Sequence, residues 1–89
     1  MNIKPAPRNY PDRVSIDPET VRQEIMRRLN IIRRYASVRD NEAAHWERDK
    51  LWRYVICAVA QGYQEVKVLS EYAKLALLTE NIDIQTWCA

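Results

Sequence analysis

The chain has 89 residues, a formal net charge of +2, 47% hydrophobic and 29% charged residues, and a single glycine, Gly62. This length allows one domain, and this balance of residues is typical of a soluble globular protein and excludes a disordered chain. One glycine cannot supply the positive-φ turns of phosphate-binding loops and tight hairpins, so the composition favours helices joined by short polar segments.

Residues 1–16 are predicted to form an extended N-terminal arm, and residues 17–89 a single helical domain. Prolines in the arm fix φ and remove backbone donors, at Pro5, Pro7 and Pro11. Two alternatives stay open, because such an arm is either a loosely ordered terminus or a segment that reaches across a partner. In the second case Arg8 and Tyr10 are candidate partner-binding residues.

Helix 1 is predicted over residues 17–38. Asp17 suits the N-cap, and Pro18 suits the first helical position. Apolar residues then recur at helical spacing, at Val21, Ile25, Leu29, Ile32 and Ala36. This narrow stripe predicts that one side of the helix faces the core, and the polar residues that follow predict a break.

Helix 2 is predicted over residues 41–61, and it ends at Gly62, where a left-handed C-cap is favoured. The pattern assigns its core side to Ala44, Leu51, Val55, Ala58 and Val59, with Trp52 and Ile56 beside them. Trp46, Arg53 and Cys57 fall on the opposite side. Trp46 and Arg53 are candidate partner-binding residues, because both residue types are enriched at binding hot spots. The alternative is that the arm or the C-terminal tail covers Trp46.

Helix 3 is predicted over residues 64–78. One apolar face consists of Val66, Leu69, Ala73, Ala76 and Leu77. Val68, Tyr72 and Leu75 extend this face beyond the usual arc, which predicts that they contact a second copy. We therefore expect a homo-oligomer, with a dimer favoured. With a short C-terminal turn after helix 3, the predicted fold is an all-α small three-helix bundle.

Helix 1 carries six arginines, which are Arg22, Arg27, Arg28, Arg33, Arg34 and Arg39. At about 3.6 residues per turn they point in three directions, whereas a nucleic-acid-binding helix lines its basic residues on one face. Arg27 and Arg34 point away from the core and are candidate partner-binding residues. The alternatives are a solvated, salt-bridged helix and a surface that binds an acidic protein or a nucleic acid.

The sequence predicts no catalytic residue, no metal site and no cofactor. His45, the one histidine, shares a helix face with Asp49, but two ligands do not make a metal site. Cys57 and Cys88 match no zinc spacing. There is no apolar stretch of the roughly 18–20 residues that cross a bilayer, and no signal peptide at the start. We therefore expect a cytoplasmic protein that is not an enzyme and does not enter a membrane.

Several short strings lie in the second half of the chain: Asn41-Glu42-Ala43-Ala44-His45 with Glu47, Asp49 and Leu51, then Ala58-Val59-Ala60-Gln61-Gly62, Ala76-Leu77-Leu78-Thr79, and Ile82-Asp83 with Trp87-Cys88-Ala89. Over roughly residues 41–89 the chain thus resembles a family of small uncharacterised proteins of tailed bacteriophages and prophages. Trp46 and Arg48 depart from that family, which has a small residue and an acid there. The family has no assigned activity, so the resemblance implies a phage origin but no site residue.

These observations predict a non-enzymatic, phage-encoded binding protein that engages and inhibits or modulates a host bacterial protein, such as a component of a defence system, in the host cytoplasm. One alternative is a small nucleic-acid- or nucleotide-binding protein that uses the more basic N-terminal half. Another alternative is a structural or assembly factor of the phage.

Overall fold

The computed structural model describes residues 13–84, and this part of the chain is a bundle of three α-helices without strands. Helix α1 spans Pro18–Ser37, α2 spans Asn41–Ala60 and α3 spans Val66–Leu77. A 3-10 turn over Leu78–Asn81 follows α3. The predicted all-α three-helix bundle is confirmed, with helix boundaries within two residues of those expected. No helix in the described range combines the length and hydropathy needed to cross a membrane.

Helix α1 begins as the sequence predicts. The Asp17 carboxylate accepts from the Thr20 hydroxyl at 2.6 Å and from the Thr20 backbone N–H at 3.3 Å, and Pro18 opens the helix. The hydroxyl bond is the main reason that the pKa of Asp17 lies below its ordinary value. The core side of α1 carries its four fully buried residues, Val21, Ile25, Leu29 and Ile32.

The turn between α1 and α2 is a Schellman motif with an arginine at its left-handed position. Arg39 has φ +59°, its N–H donates to Ala36 O at 3.1 Å, and the Asp40 N–H donates to Tyr35 O at 2.9 Å. Asp40 then caps α2, because its carboxylate accepts from the Ala43 N–H at 3.2 Å. Two helices therefore meet with their terminal backbone groups paired across a very short turn.

Helix α2 is rotated from the predicted orientation by a fraction of a turn. Its core side contains Leu51, Tyr54, Val55 and Ala58, at i, i+3, i+4 and i+7. Val59 and Ile56, which were assigned to or beside the core, are exposed. The large Tyr54 ring accounts for the difference, since it is buried and the Arg28 guanidinium stacks 4.7 Å from its centroid.

Helix α3 also presents a different face from the one expected. Tyr72 and Ala76 are buried, and Val68, Leu69 and Leu75 pack against the core. Val66 and Leu77 are 81% and 63% exposed, although the pattern placed them on the core side. The helix turns the large Tyr72 ring into the core, and Val66 and Leu77, which lie at its two ends, are left on the outer side.

The segments that flank the bundle close its open sides. Before α1, Val14 packs on the core, and the Gln64 side-chain amide donates to the Ile16 carbonyl across the α2–α3 connection. After the 3-10 turn, Ile82 and Ile84 pack on the same core. Most of the predicted N-terminal arm, and residues 85–89 at the other end of the chain, lie outside the described residues.

Candidate interaction surface

The outer face of α2 is the most distinctive surface of the described chain. The six residues that form this α2 seam are all exposed and recur at alternating spacings of four and three: Glu42, Trp46, Asp49, Arg53, Ile56 and Ala60. Leu51 lies on the opposite side of the helix and is fully buried in the core. Residues at these spacings share one face of a helix, and a second helix can pack along such a face.

Trp46 is the largest apolar group on this seam. Its side chain is 67% exposed, and the Ile56 side chain, ten residues later on the same seam, is 66% exposed. An exposed indole and an exposed aliphatic residue on one helix face are typical of a contact surface, because both lose ordered water when a partner covers them. The sequence correctly placed Trp46 and Arg53 away from the core, since both are exposed.

A shallow groove of about 360 Å³ lies beside Trp46, between α1 and α2. We call it the Trp46 groove, and it is lined by Tyr35, Asp40, Glu42, Ala43, Trp46 and Glu47. Two aromatic rings and three carboxylates therefore border one depression. Such a groove suits an apolar side chain that carries, or lies next to, a positive charge.

Arg27 is exposed on α1 and holds a two-point contact with a carboxylate. Its Nε and Nη2 donate to the two Glu24 oxygens at 2.9 and 2.7 Å. This bond raises the pKa of Arg27, and Glu47 of α2 adds a smaller effect in the same direction. Arg27 therefore lies on the side of α1 that borders Glu47 and the Trp46 groove.

The other candidate basic residues divide between ion pairs and the exposed surface. Arg22 is tied to Glu19 at 2.7 Å and to Glu71 of α3 at 3.2 Å, so it links α1 to α3. Arg28 joins Arg27 on Glu24, at 2.8 Å. Arg34 is exposed seven residues after Arg27 on the same side of α1. Much of the basic charge of α1 is therefore engaged in salt bridges. This agrees with the solvated, salt-bridged helix that was one of the alternatives for these arginines.

The three residues predicted to mediate self-association are instead used inside the chain. The Tyr72 side chain is only 1% exposed, so it is unavailable to a second copy, and the prediction for this residue is corrected. Val68 and Leu75 are half-buried against the core cluster. The apolar stripe of α3 that does face outward runs through Val66 and Leu77. Arg8 and Tyr10, the candidate residues of the arm, lie outside the described residues.

His45 takes part in a small polar cluster on α2. One ring nitrogen lies 2.7 Å from Arg48 Nη2, and the other lies 3.6 Å from an Asp49 oxygen. The Arg48 guanidinium also stacks on the Trp52 ring, 4.6 Å from its centroid. Among residues 13–84 no group of three or more His, Cys, Asp or Glu side chains has an arrangement that could hold a metal ion.

A second depression lies at the end of the bundle that holds the α1–α2 turn. This turn cleft has a volume of about 380 Å³ and is lined by Arg33, Ala36, Ser37, Arg39, Asn41, Asn81, Ile82 and Asp83. Sequence reasoning missed it, because Arg39 projects from a left-handed turn position that is usually glycine, and the pattern gave no signal for it.

Comparisons with protein families, with curated proteins and with solved structures give no match for this chain.

Proposed function

We propose that this chain is a non-enzymatic binding protein that acts by docking another protein on the outer face of α2. The observation that carries this proposal is the exposure of Trp46 on the outer face of α2, beside a groove with a second aromatic ring. A tryptophan contributes a large apolar area with little conformational entropy to lose, so it anchors an interface efficiently.

The charges around Trp46 restrict the partner. Asp40, Glu42 and Glu47 give the Trp46 groove an acidic border. Arg27 and Arg34 supply positive charge on the neighbouring side of α1. A partner segment that inserts an apolar or basic side chain next to Trp46, with an acidic residue toward α1, would be complementary to this surface.

The identity of the partner as a host bacterial protein, and action in the host cytoplasm, form part of the same proposal. They are supported by the resemblance of residues 41–89 to phage and prophage proteins. Inhibition or modulation of that host protein is the mode of action that we propose with it. Self-association belongs to the proposal as well, through a surface other than the one first predicted.

The test compares two exposed aromatic residues in capture experiments from a bacterial lysate. Trp46→Ala should abolish capture of the partner, whereas Tyr63→Ala should retain it, since Tyr63 is 68% exposed on the α2–α3 connection, away from the groove. Circular dichroism of both variants checks that the helices persist. Retention of the same protein at the same level by Trp46→Ala would contradict the proposal.

A second candidate function is the binding of a nucleotide or nucleic acid in the turn cleft. Arg33 and Arg39 lie there with the amides of Asn41 and Asn81, so the cleft offers several donors to phosphate oxygens. The expected sign is an affinity that falls steeply with salt concentration and is lost in Arg33→Ala/Arg39→Ala. Flat titrations at low salt would remove this candidate.

A further inference from the structure

The α2 seam is complementary to itself when it is read in the opposite direction. Counting outward from Leu51 in both directions, Asp49 mirrors Arg53, Trp46 mirrors Ile56, and Glu42 mirrors Ala60. All six of these residues are exposed. Each mirror pair joins groups that attract or tolerate each other, which is the requirement for an isologous two-fold contact, in which residue i meets j and j meets i.

We propose that α2 docks a second copy of this chain, with the two helices antiparallel and the two-fold axis crossing the outer seam between Asp49 and Arg53, at the height of Leu51. Asp49 of each chain then pairs with Arg53 of the other, which gives two intermolecular salt bridges next to the axis. Each Trp46 ring covers Ile56 of the second copy. The six seam residues of each chain then form successive layers along the two packed helices.

The charges select this direction over the alternative. In a parallel pair, Asp49 would meet Asp49 and Arg53 would meet Arg53, and like charges in direct contact weaken an interface. Lys50 flanks the proposed axis, but its ammonium is paired with Glu47 of its own helix at 3.3 Å. The contacts of Asp49 with His45 and Arg48 are looser, at 3.6 and 3.8 Å, so Asp49 can reorient toward a second copy.

This inference rests on the proposed binding role of the α2 face, and it adds a second copy as a partner that competes with the host protein for Trp46. It replaces the earlier prediction of self-association through α3, because Tyr72 is buried. A dimer buries Trp46 and Ile56 in both chains at once, so one contact covers four exposed apolar side chains. The side of α1 that carries Arg27 is not part of this dimer contact.

The first measurement is the mass of the full chain by sedimentation velocity over a dilution series. The expected result is a reversible dimer of about 21 kDa, twice the 10.6 kDa of one chain. Asp49→Arg and Arg53→Asp each place two like-charged pairs beside the axis and should each weaken the dimer by about 10-fold or more. Lys67→Glu, an exposed charge reversal on α3, is the matched control and should leave the dimer unchanged.

The decisive measurement mixes the two single variants. In a heterodimer of Asp49→Arg with Arg53→Asp, one chain carries both arginines and the other both aspartates, so both salt bridges form again. The mixture should therefore dimerise more tightly than either variant alone. Recovery in the mixture also shows that both variants are folded. The double variant Asp49→Arg/Arg53→Asp should likewise dimerise on its own.

Two outcomes overturn the inference. One is a wild-type chain that stays a monomer throughout the dilution series, and the other is a dimer that neither single charge reversal weakens. A monomeric wild type that still captures a bacterial protein through Trp46 would overturn the dimer and leave the proposed function standing. A dimer that both charge reversals weaken, in a chain that captures no bacterial protein through Trp46, would support the dimer and contradict the proposed function.

Discussion

The Trp52 indole N–H donates to the Thr79 hydroxyl at 3.1 Å, and this bond joins α2 to the 3-10 turn 27 residues later. The same hydroxyl donates to the Ala76 carbonyl at 2.8 Å and is itself buried. One side chain thus closes the end of α3 and attaches it to α2. The packing of the C-terminal part of the bundle therefore depends on a polar contact inside an otherwise apolar region.

Replacement of this threonine should be destabilising even by a residue of the same shape. Thr79→Val keeps the volume but leaves the Trp52 N–H without its acceptor in a half-buried position, and we expect the free energy of unfolding to fall by about 1–2 kcal/mol. Thr79→Ser keeps the hydroxyl and should lose less. Urea denaturation followed by tryptophan fluorescence measures both, and equal stability of Thr79→Val and the wild type would contradict the role of the bond.

The orientation of α3 can be tested with two leucines that lie two residues apart. Leu75 packs against the core, whereas Leu77 is exposed. Leu75→Ala should lower the free energy of unfolding by roughly 1–2 kcal/mol, and Leu77→Ala by less than about 0.5 kcal/mol. Thermal unfolding at one fixed protein concentration provides the comparison. The opposite order would restore the face that the sequence pattern first indicated.

This pair also shows why the pattern misled at α3. The helix is apolar around much of its circumference, so several faces fit the same spacing almost equally well. The choice between them depends on what α1 and α2 offer in three dimensions, and the pocket for the Tyr72 ring is not encoded by spacing. In α1, by contrast, polar residues surround one narrow stripe, and all four of its central residues are buried as predicted.

Within residues 13–84, two residues have positive φ, and they should respond in opposite directions to substitution. Arg39 has φ +59° and Gly62 has φ +70°. Arg39→Gly removes the strain of a side chain in the left-handed region and should stabilise the chain by about 1 kcal/mol. Gly62→Ala introduces that strain and should destabilise it by about the same amount, although space for a Cβ is open there.

Differential scanning calorimetry of both variants measures these changes. A lower melting temperature for Arg39→Gly would show that the arginine side chain contributes more in the turn cleft than its backbone strain takes away. The sequence indicated the role of Gly62 at the end of α2, since glycine is the usual residue there. It could not indicate the same conformation at Arg39, because no local signal distinguishes this arginine from its neighbours.

The ionisation of Glu24 should make the stability of the bundle depend on pH in the acidic range. Its hydrogen bonds with Arg27, followed by the charge of Arg28, hold the pKa of this carboxyl below its ordinary value of 4.5. Because the folded-state pKa is lowered, the stabilisation is fully present above the unfolded-state pKa and is lost as the pH falls through the folded-state pKa. The wild type should therefore lose stability below about pH 4.5 partly through this group.

The variant that isolates this effect is Glu24→Gln. At pH 7 it should unfold with a free energy about 0.5–1 kcal/mol lower than the wild type, and the difference should shrink toward pH 3. Urea denaturation across this pH range gives the two curves. A difference that is constant from pH 7 to pH 3 would show that Glu24 acts through packing and not through its charge.

Only part of the candidate interaction surface could be predicted from the sequence. Trp46 and Arg53 were placed on the outer side of helix 2 from their spacing alone, and both are exposed. The Trp46 groove could not be predicted in this way, because the turn at Arg39 determines that Tyr35 and Asp40 lie beside Trp46. Spacing within one helix predicts which side chains share a face, but a depression between two helices depends on how they cross.

Because the Cys57 thiol is buried, its reactivity can be used to measure how often the helical bundle opens. Its side chain is 4% exposed in α2, so an alkylating reagent reaches the sulfur only when the helices separate. The sequence has one other cysteine, and Cys88→Ser would leave Cys57 as the sole sulfhydryl. The rate of its alkylation would then report how often the bundle opens, and the measurement needs no dye or isotope.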